Sequence, residues 1–156
     1  MILEEAEPIA QGVVKQLEPY CLRIEIAGSI RRKRPEVGDI EVVYIPRMGD
    51  MFSIVEIVKK WYKKKGEPHG LYTQRLLPEG IKLDLFRAKP DNWGYILAIR
   101  IGSADFSKRL ASAWVKAGYH GEEGMLTKDG KTIPVREEKD LFRLVGMKWI
   151  PPEERV

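Results

Sequence analysis

Gly28-Ser29-Ile30-Arg31-Arg32-Lys33-Arg34-Pro35-Glu36-Val37-Gly38-Asp39-Ile40-Glu41-Val42-Val43-Tyr44 is the stretch from which the rest of this 156-residue chain can be read. Residues 39–45 alternate as a strand. Side chains two apart on a strand point to one face, so Asp39 and Glu41 converge on one site while Ile40 and Val42 face a core. Two adjacent carboxylates suit hard divalent cations, which in turn neutralise a polyphosphate. The Gly28-Ser29 turn offers backbone N–H and hydroxyl donors, and Arg31 and Arg32 add positive charge.

Upstream, Arg23-Ile24-Glu25-Ile26-Ala27 alternates and predicts a strand running into the turn. Residues 6–17 predict a helix with Ile9, Val13, Val14 and Leu17 on one face. A short helix is expected to open at Gly28, its first amides facing an anion. Downstream, Pro46 ends the second strand. Residues 51–65 then carry Phe52, Ile54, Val55, Ile57, Val58, Trp61 and Tyr62 at mostly helical spacing, which predicts one helix covering the sheet. Residues 71–77 and 81–87 predict a hairpin around Pro78-Glu79-Gly80. In the second of these strands Asp84 lies on the face opposite Leu83 and Leu85. It either faces solvent or belongs to a site.

After Lys89-Pro90-Asp91-Asn92 the pattern changes. Residues 93–101 read as helical. Ser103 is a fitting N-cap for a second helix with Phe106, Leu110, Ala113, Trp114 and Ala117 on one side, ended by Gly118. Residues 124–127 and 132–136 predict a hairpin about Lys128-Asp129-Gly130-Lys131, and residues 137–145 a last helix with Gly146 at its end. The tail around Pro151-Pro152 is expected to be non-helical.

Lys and Arg number 27 against 23 Asp and Glu, a net charge of +4 that favours a polyanionic partner without proving one. Positive charge concentrates in Arg31-Arg32-Lys33-Arg34 and in Lys59-Lys60-Trp61-Tyr62-Lys63-Lys64-Lys65. The second cluster reads equally as a solvated helix end or as a DNA contact. The single Cys21 excludes an internal disulfide and a cysteine-based zinc site, and points to a cytoplasmic protein. The acidic start Met1-Ile2-Leu3-Glu4-Glu5-Ala6-Glu7-Pro8 lacks a signal-peptide pattern, and no apolar run is long enough to span a bilayer. His69 and His120 read as surface histidines, Trp61, Trp114 and Trp149 as core, and Trp93 and Tyr95 as weaker candidates for base stacking.

The opening stretch resembles the nucleotidyltransferase signature of the family X DNA polymerases, typified by DNA polymerase beta: Gly-Ser, two arginines, a short linker, then Gly-Asp-x-Asp. Glu41 departs from it where the family has a second Asp. The second half resembles the family's thumb-type part in Gly102-Ser103, Lys128-Asp129-Gly130-Lys131, Glu137-Glu138-Lys139-Asp140-Leu141-Phe142 and Pro151-Pro152-Glu153-Glu154-Arg155. No lyase-type segment or helix-hairpin-helix glycine pattern precedes the first strand, so the chain resembles short virus-encoded members.

The resemblance implies an α+β fold, with a palm-type mixed sheet and covering helices over residues 1–90 and a small α+β thumb-type part over 91–156. It implies catalytic, metal-binding carboxylates at Asp39, Glu41 and Asp84, holding two Mg²⁺ ions with Mn²⁺ able to substitute. Gly28, Ser29, Arg31, Arg32, Gly38, Gly102 and Ser103 are the implied nucleotide-binding residues, and the Gly102–Ser103 peptide is expected to be cis. The implied partners are nucleoside triphosphates and DNA, as primer-template or gapped duplex, with no membrane and a monomeric chain. Ile99 and Arg100 stand where the family has an aromatic pair against the incoming sugar, and Ser107 where it usually has Asn. The leading expectation is a gap-filling repair polymerase. The alternatives are a template-independent or RNA-directed nucleotidyltransferase, and a non-catalytic DNA-binding protein.

Overall fold

In the computed structural model, which describes residues 1–156, the alternation around Asp39 becomes strand β2 (Asp39–Pro46) of a five-stranded mixed sheet. Its other strands are β1 (Cys21–Ile26), β3 (Tyr62–Lys65), β4 (Tyr72–Leu76) and β5 (Lys82–Arg87), in the order β1-β2-β5-β4-β3. The β2–β5 pair is parallel and the other three pairs are antiparallel. Helices α1 (Leu3–Leu17) and α3 (Met51–Val58) cover one face, and a single turn, α2 (Gly28–Arg31), follows β1.

Period-two alternation sorts the strands. Ile40, Val42 and Tyr44 of β2 and Leu83 and Leu85 of β5 pack with Ala6, Ala10, Val13 and Leu17 of α1 and Ile54 and Val58 of α3 in one core. Each buried Val, Leu or Ile among them contributes about 1.5–3 kcal/mol of transfer free energy. The opposite face therefore collects the polar positions Asp39, Glu41, Lys82, Asp84, Gln74 and Tyr72. A slip of one residue in β2 would bury the acids and expose Ile40 and Val42, so the core itself fixes where the carboxylates stand.

Residues 51–65 are not one helix. α3 ends at Val58, Lys59-Lys60-Trp61 turn back, and β3 pairs with β4, Tyr62 opposite Leu76 and Lys63 opposite Arg75. Local spacing favours helix, but without β3 the outer edge of β4 would lack partners for its backbone groups. The buried Arg75 secures the turn by donating to the carbonyls of Trp61 and Gly66. The first helix also begins earlier than expected, at Leu3, because the backbone before it is tied to Pro35 and Val37.

The chain divides into two compact units, Met1–Ala88 and Lys89–Val156. The second holds helices α4 (Trp93–Ile101), α5 (Ala104–Lys116) and α6 (Glu138–Leu144) and a three-stranded antiparallel sheet of β6 (His120–Glu122), β7 (Met125–Lys128) and β8 (Lys131–Ile133). Its core joins Tyr95, Ala98, Phe106, Leu110, Trp114, Leu126, Val135, Leu141 and Phe142. α4 meets the start of α6 at Gly94, where a Cβ would lie 2.2 Å from the Glu137 carbonyl carbon, too close for any other residue. The short strand β6 is additional to the expected hairpin, and a 3₁₀ turn at Pro152–Glu154 interrupts the expected irregular tail.

Burial corrects four aromatic assignments. Trp149 is 47% exposed and Trp61 is half-buried, so only Trp114 is core. Trp93 and Tyr95 are buried, the latter against Trp114 at 5.2 Å, which leaves neither ring an open face for a base. His69 and His120 are exposed. No helix is long and apolar enough to cross a membrane.

Candidate active site

The polar face of the first sheet brings the three acids onto neighbouring strands. Glu41 stands opposite Asp84 across the parallel β2–β5 pair, and Asp39 precedes Glu41 by two on the same face. Asp84 is 6% exposed, so it is not an ordinary solvent-facing strand residue. Its Oδ1 accepts hydrogen bonds from the Tyr72 hydroxyl at 2.7 Å and the Gln74 amide at 2.8 Å, both from β4. Neither donor figured among the sequence candidates. The available signal was register: once the hairpin turns at Pro78-Glu79-Gly80, Gln74 falls opposite Asp84.

Asp39 is exposed as a residue, yet its carboxyl is pushed above its ordinary pKa, first by loss of water around it and second by the charge of Asp84, with Lys82 opposing. A carboxyl raised on folding costs stability as pH rises through its titration and costs nothing once both states are protonated. Carboxyl NMR titration is expected to place Asp39 above the usual carboxylate range and to bring it down in Asp84→Asn. An unchanged Asp39 in that variant would mean that the two charges do not interact.

Glu41 is held differently. Its carboxylate lies over Gly28, where an added Cβ would fall 1.9 Å from Oε2, and its charge acts on the half-buried Arg32. Burial lowers the Arg32 pKa and Glu41 works against that shift. Gly28 has φ +62°, a conformation costing a non-glycine residue about 1–2 kcal/mol. Gly28→Ala thus meets both strain and overlap, and is expected to destabilise the chain by about 2–4 kcal/mol in urea unfolding. An unchanged midpoint would show that the Glu41 carboxylate moves aside freely.

The remaining candidates divide. Ser29 sits in the α2 turn, and Arg31 is turned toward β1, paired with Glu25 at 3.2 Å. Gly38 faces open space beside Asp39, and the two border a cleft of about 480 Å³ with Leu76, Gly80, Ile81 and Lys82. Gly102 and Ser103 belong to the second unit; their peptide is cis, and the Ser103 hydroxyl caps α5 by accepting from the Phe106 amide at 3.2 Å. Ser107 spends its hydroxyl on the Ile99 carbonyl at 2.8 Å.

The donor chemistry of Asp39, Glu41 and Asp84 fits a hard divalent cation: all ligating atoms are carboxylate oxygens, and the Asp39–Asp84 repulsion is of the kind a cation relieves. The side chains as they stand do not form a ready cluster of three or more metal-ligating groups. Glu41 is engaged instead with Gly28 and Arg32.

Comparison with known proteins bears on the fold. Residues 97–156 match the family described as DNA polymerase beta thumb. The chain is similar to Leishmania infantum polymerase beta in its ternary P/T complex, with 19% identity and a TM-score of 0.79 over 100% of this chain and 76% of that one. It is similar also to the ternary gap complex of that protein, with 17% identity and a TM-score of 0.80 over 99% of this chain and 70% of the other. No curated protein matches the chain.

Proposed function

We propose that this chain, a family X-like polymerase in its α+β fold and in its polymerase beta thumb, adds nucleotides to a primer 3′-hydroxyl, acting in gap-filling repair synthesis. The observation that carries the reading is the meeting of Asp39, Glu41 and Asp84 on one sheet face, beside a Gly-Ser turn bearing Arg32. In the reaction the 3′-oxygen bonds to the α-phosphorus, the bond from that phosphorus to the bridging oxygen breaks, and pyrophosphate leaves. Two divalent cations bound by Asp39, Glu41 and Asp84, Mg²⁺ or Mn²⁺ in its place, would lower the hydroxyl's pKa and balance charge on the leaving group.

The protein's own contributions follow from its contacts. Asp84 Oδ1 is occupied by Tyr72 and Gln74, so Oδ2 is the oxygen that receives the 3′-hydroxyl proton. Arg32 and Ser29 hold the triphosphate, with Arg32 drawn from Glu41 toward phosphate as the nucleotide enters. Gly28 and Gly38 admit the phosphates close to the backbone. Arg31, paired with Glu25, is the least suited of the set to reach them. The basic strand β3, with Lys63, Lys64 and Lys65 exposed on the sheet edge and Lys64 over the Tyr62 ring, supports contact with a nucleic-acid backbone.

The test is extension of a gapped duplex, a template-free strand and an RNA 3′ end, each with dNTPs and rNTPs. Templated extension of the gapped duplex is expected to dominate. Preferred extension of the single strand or the RNA favours the template-independent or RNA-directed alternative, and no extension of any acceptor leaves a DNA-binding protein. With Ile99 and Arg100 in place of an aromatic pair, dNTPs are expected to be favoured only weakly over rNTPs; a preference of about a thousandfold, worth some 4 kcal/mol, contradicts that.

A further inference from the structure

We infer that Tyr72 and Gln74 are positioning residues that clamp Asp84 for cation binding, an inference that rests on the nucleotidyl-transfer reading of the site. A carboxylate on a single strand bond turns freely unless both its oxygens or one oxygen twice are engaged. Here one oxygen is engaged twice. Tyr72 and Gln74 lie two apart on β4 and so share a face, and Gln74 stands directly opposite Asp84 while Tyr72 stands opposite Phe86. From these two positions their donors converge on Oδ1, at 2.7 and 2.8 Å.

The tyrosine is itself fixed. Its ring stacks on Phe86 with centroids 5.1 Å apart and planes 24° from parallel, and Phe86 follows Asp84 by two on the same face. Gln74 is 8% exposed, so its amide has little water to compete with the carboxylate. The pair therefore supplies two neutral donors to a nearly buried carboxylate, satisfies Oδ1, and presents Oδ2 in one orientation. Neutral donors suit this task better than a cation, because they orient the carboxylate without cancelling the charge that a metal needs. Partners of this kind orient the ligating atoms and are commonly worth about 10–100-fold in metal affinity or activity.

The test uses the full chain and two variants that remove one donor each at nearly constant volume, Tyr72→Phe and Gln74→Met. Tyr72→Phe keeps the stack on Phe86, so it removes only the hydroxyl. Mn²⁺ binding is followed by electron paramagnetic resonance of the free ion, with DNA and nucleotide present, and single-nucleotide extension is measured beside it. Each variant is expected to bind Mn²⁺ about tenfold more weakly. In extension kcat should fall with nucleotide KM unchanged, and raised Mn²⁺ should restore kcat, which a merely structural loss would not allow. Mn²⁺ affinity within about twofold of wild type in both variants overturns the clamp. So does a wild-type chain that binds no Mn²⁺. If the wild type binds Mn²⁺, loses it in Asp84→Asn and in the clamp variants, yet extends no primer, the clamp stands and the polymerase reading falls.

Discussion

Primer extension by Asp84→Asn is expected to fall by about a thousandfold or more if Asp84 holds a cation as proposed, because a ligand worth several kcal/mol of transition-state stabilisation is then replaced by a neutral amide. The substitution keeps the shape of the side chain. It also keeps an oxygen that can accept from Tyr72 and Gln74, so the fold around β4 and β5 should hold. Relief of the repulsion with Asp39 should, if anything, stabilise the metal-free chain. Loss of activity together with equal or greater stability is the signature of a group retained for chemistry rather than for folding. Extension within about tenfold of wild type would remove Asp84 from the machinery, since one pKa-sized step of free energy is too small for a metal ligand. Glu41→Ala distinguishes the remaining acid: if it leaves extension unaffected while Asp39→Ala abolishes it, Glu41 serves only as a partner of Arg32.

The largest loss of stability is expected from Arg155→Ala in the second unit. Arg155 is fully buried, and its Nη1 donates to Glu138 Oε2 at 2.6 Å while its Nε donates to the Ile150 carbonyl at 2.9 Å. Its guanidinium also lies 5.0 Å from the Phe142 ring, 5.6 Å from Phe106 and 4.8 Å from Trp149. Truncation leaves Glu138 charged, buried and unpaired, and opens a void among three rings. Breaking such a pair costs about 3–5 kcal/mol, enough to unfold the helices it joins at moderate urea. The double variant Arg155→Leu/Glu138→Leu should recover much of that loss, because it removes both charges and refills the space. A loss below about 1 kcal/mol in Arg155→Ala, read from urea unfolding, would place the pair among surface-like contacts.

The sheet and its acids were legible because a two-residue period carries them. Ile40 and Val42 against Asp39 and Glu41, and Leu83 and Leu85 against Asp84, each state which face is buried before any partner is known. The cap at Ser103 and the close approach at Gly94 also follow from side-chain chemistry, although only the first announces itself locally. What escaped depends on distant partners. Lysines 63 to 65 have good helix propensity and continue the spacing of α3, yet pairing with Arg75 and Gln74 makes them a strand. β6 has three residues and no alternation of its own; β7 makes it a strand.

The site shows the same division. Residue type and spacing point to Asp39 and Glu41 as candidates and the family resemblance adds Asp84, but none of these says what each carboxylate touches. The two donors on Asp84 arise from register between strands, and the Glu41 contact with Gly28 and the pairing of Arg31 with Glu25 from how the α2 turn folds back on β1 and β2, none of which spacing within one segment encodes. Trp93 and Tyr95 misled for a related reason. Their position in the chain suggested a nucleotide contact, whereas both rings are buried, Tyr95 within the hydrophobic core of its own unit.

Nucleotidyl transfer by the acidic face of the first sheet is tested most directly by pyrophosphate release on a singly gapped duplex with the templated dNTP and Mg²⁺. One pyrophosphate is expected for each nucleotide added by the wild-type chain, and neither pyrophosphate nor extended primer from Asp39→Asn or Asp84→Asn. Absence of both products from the folded wild-type chain, with Mn²⁺ as well as Mg²⁺, would contradict it.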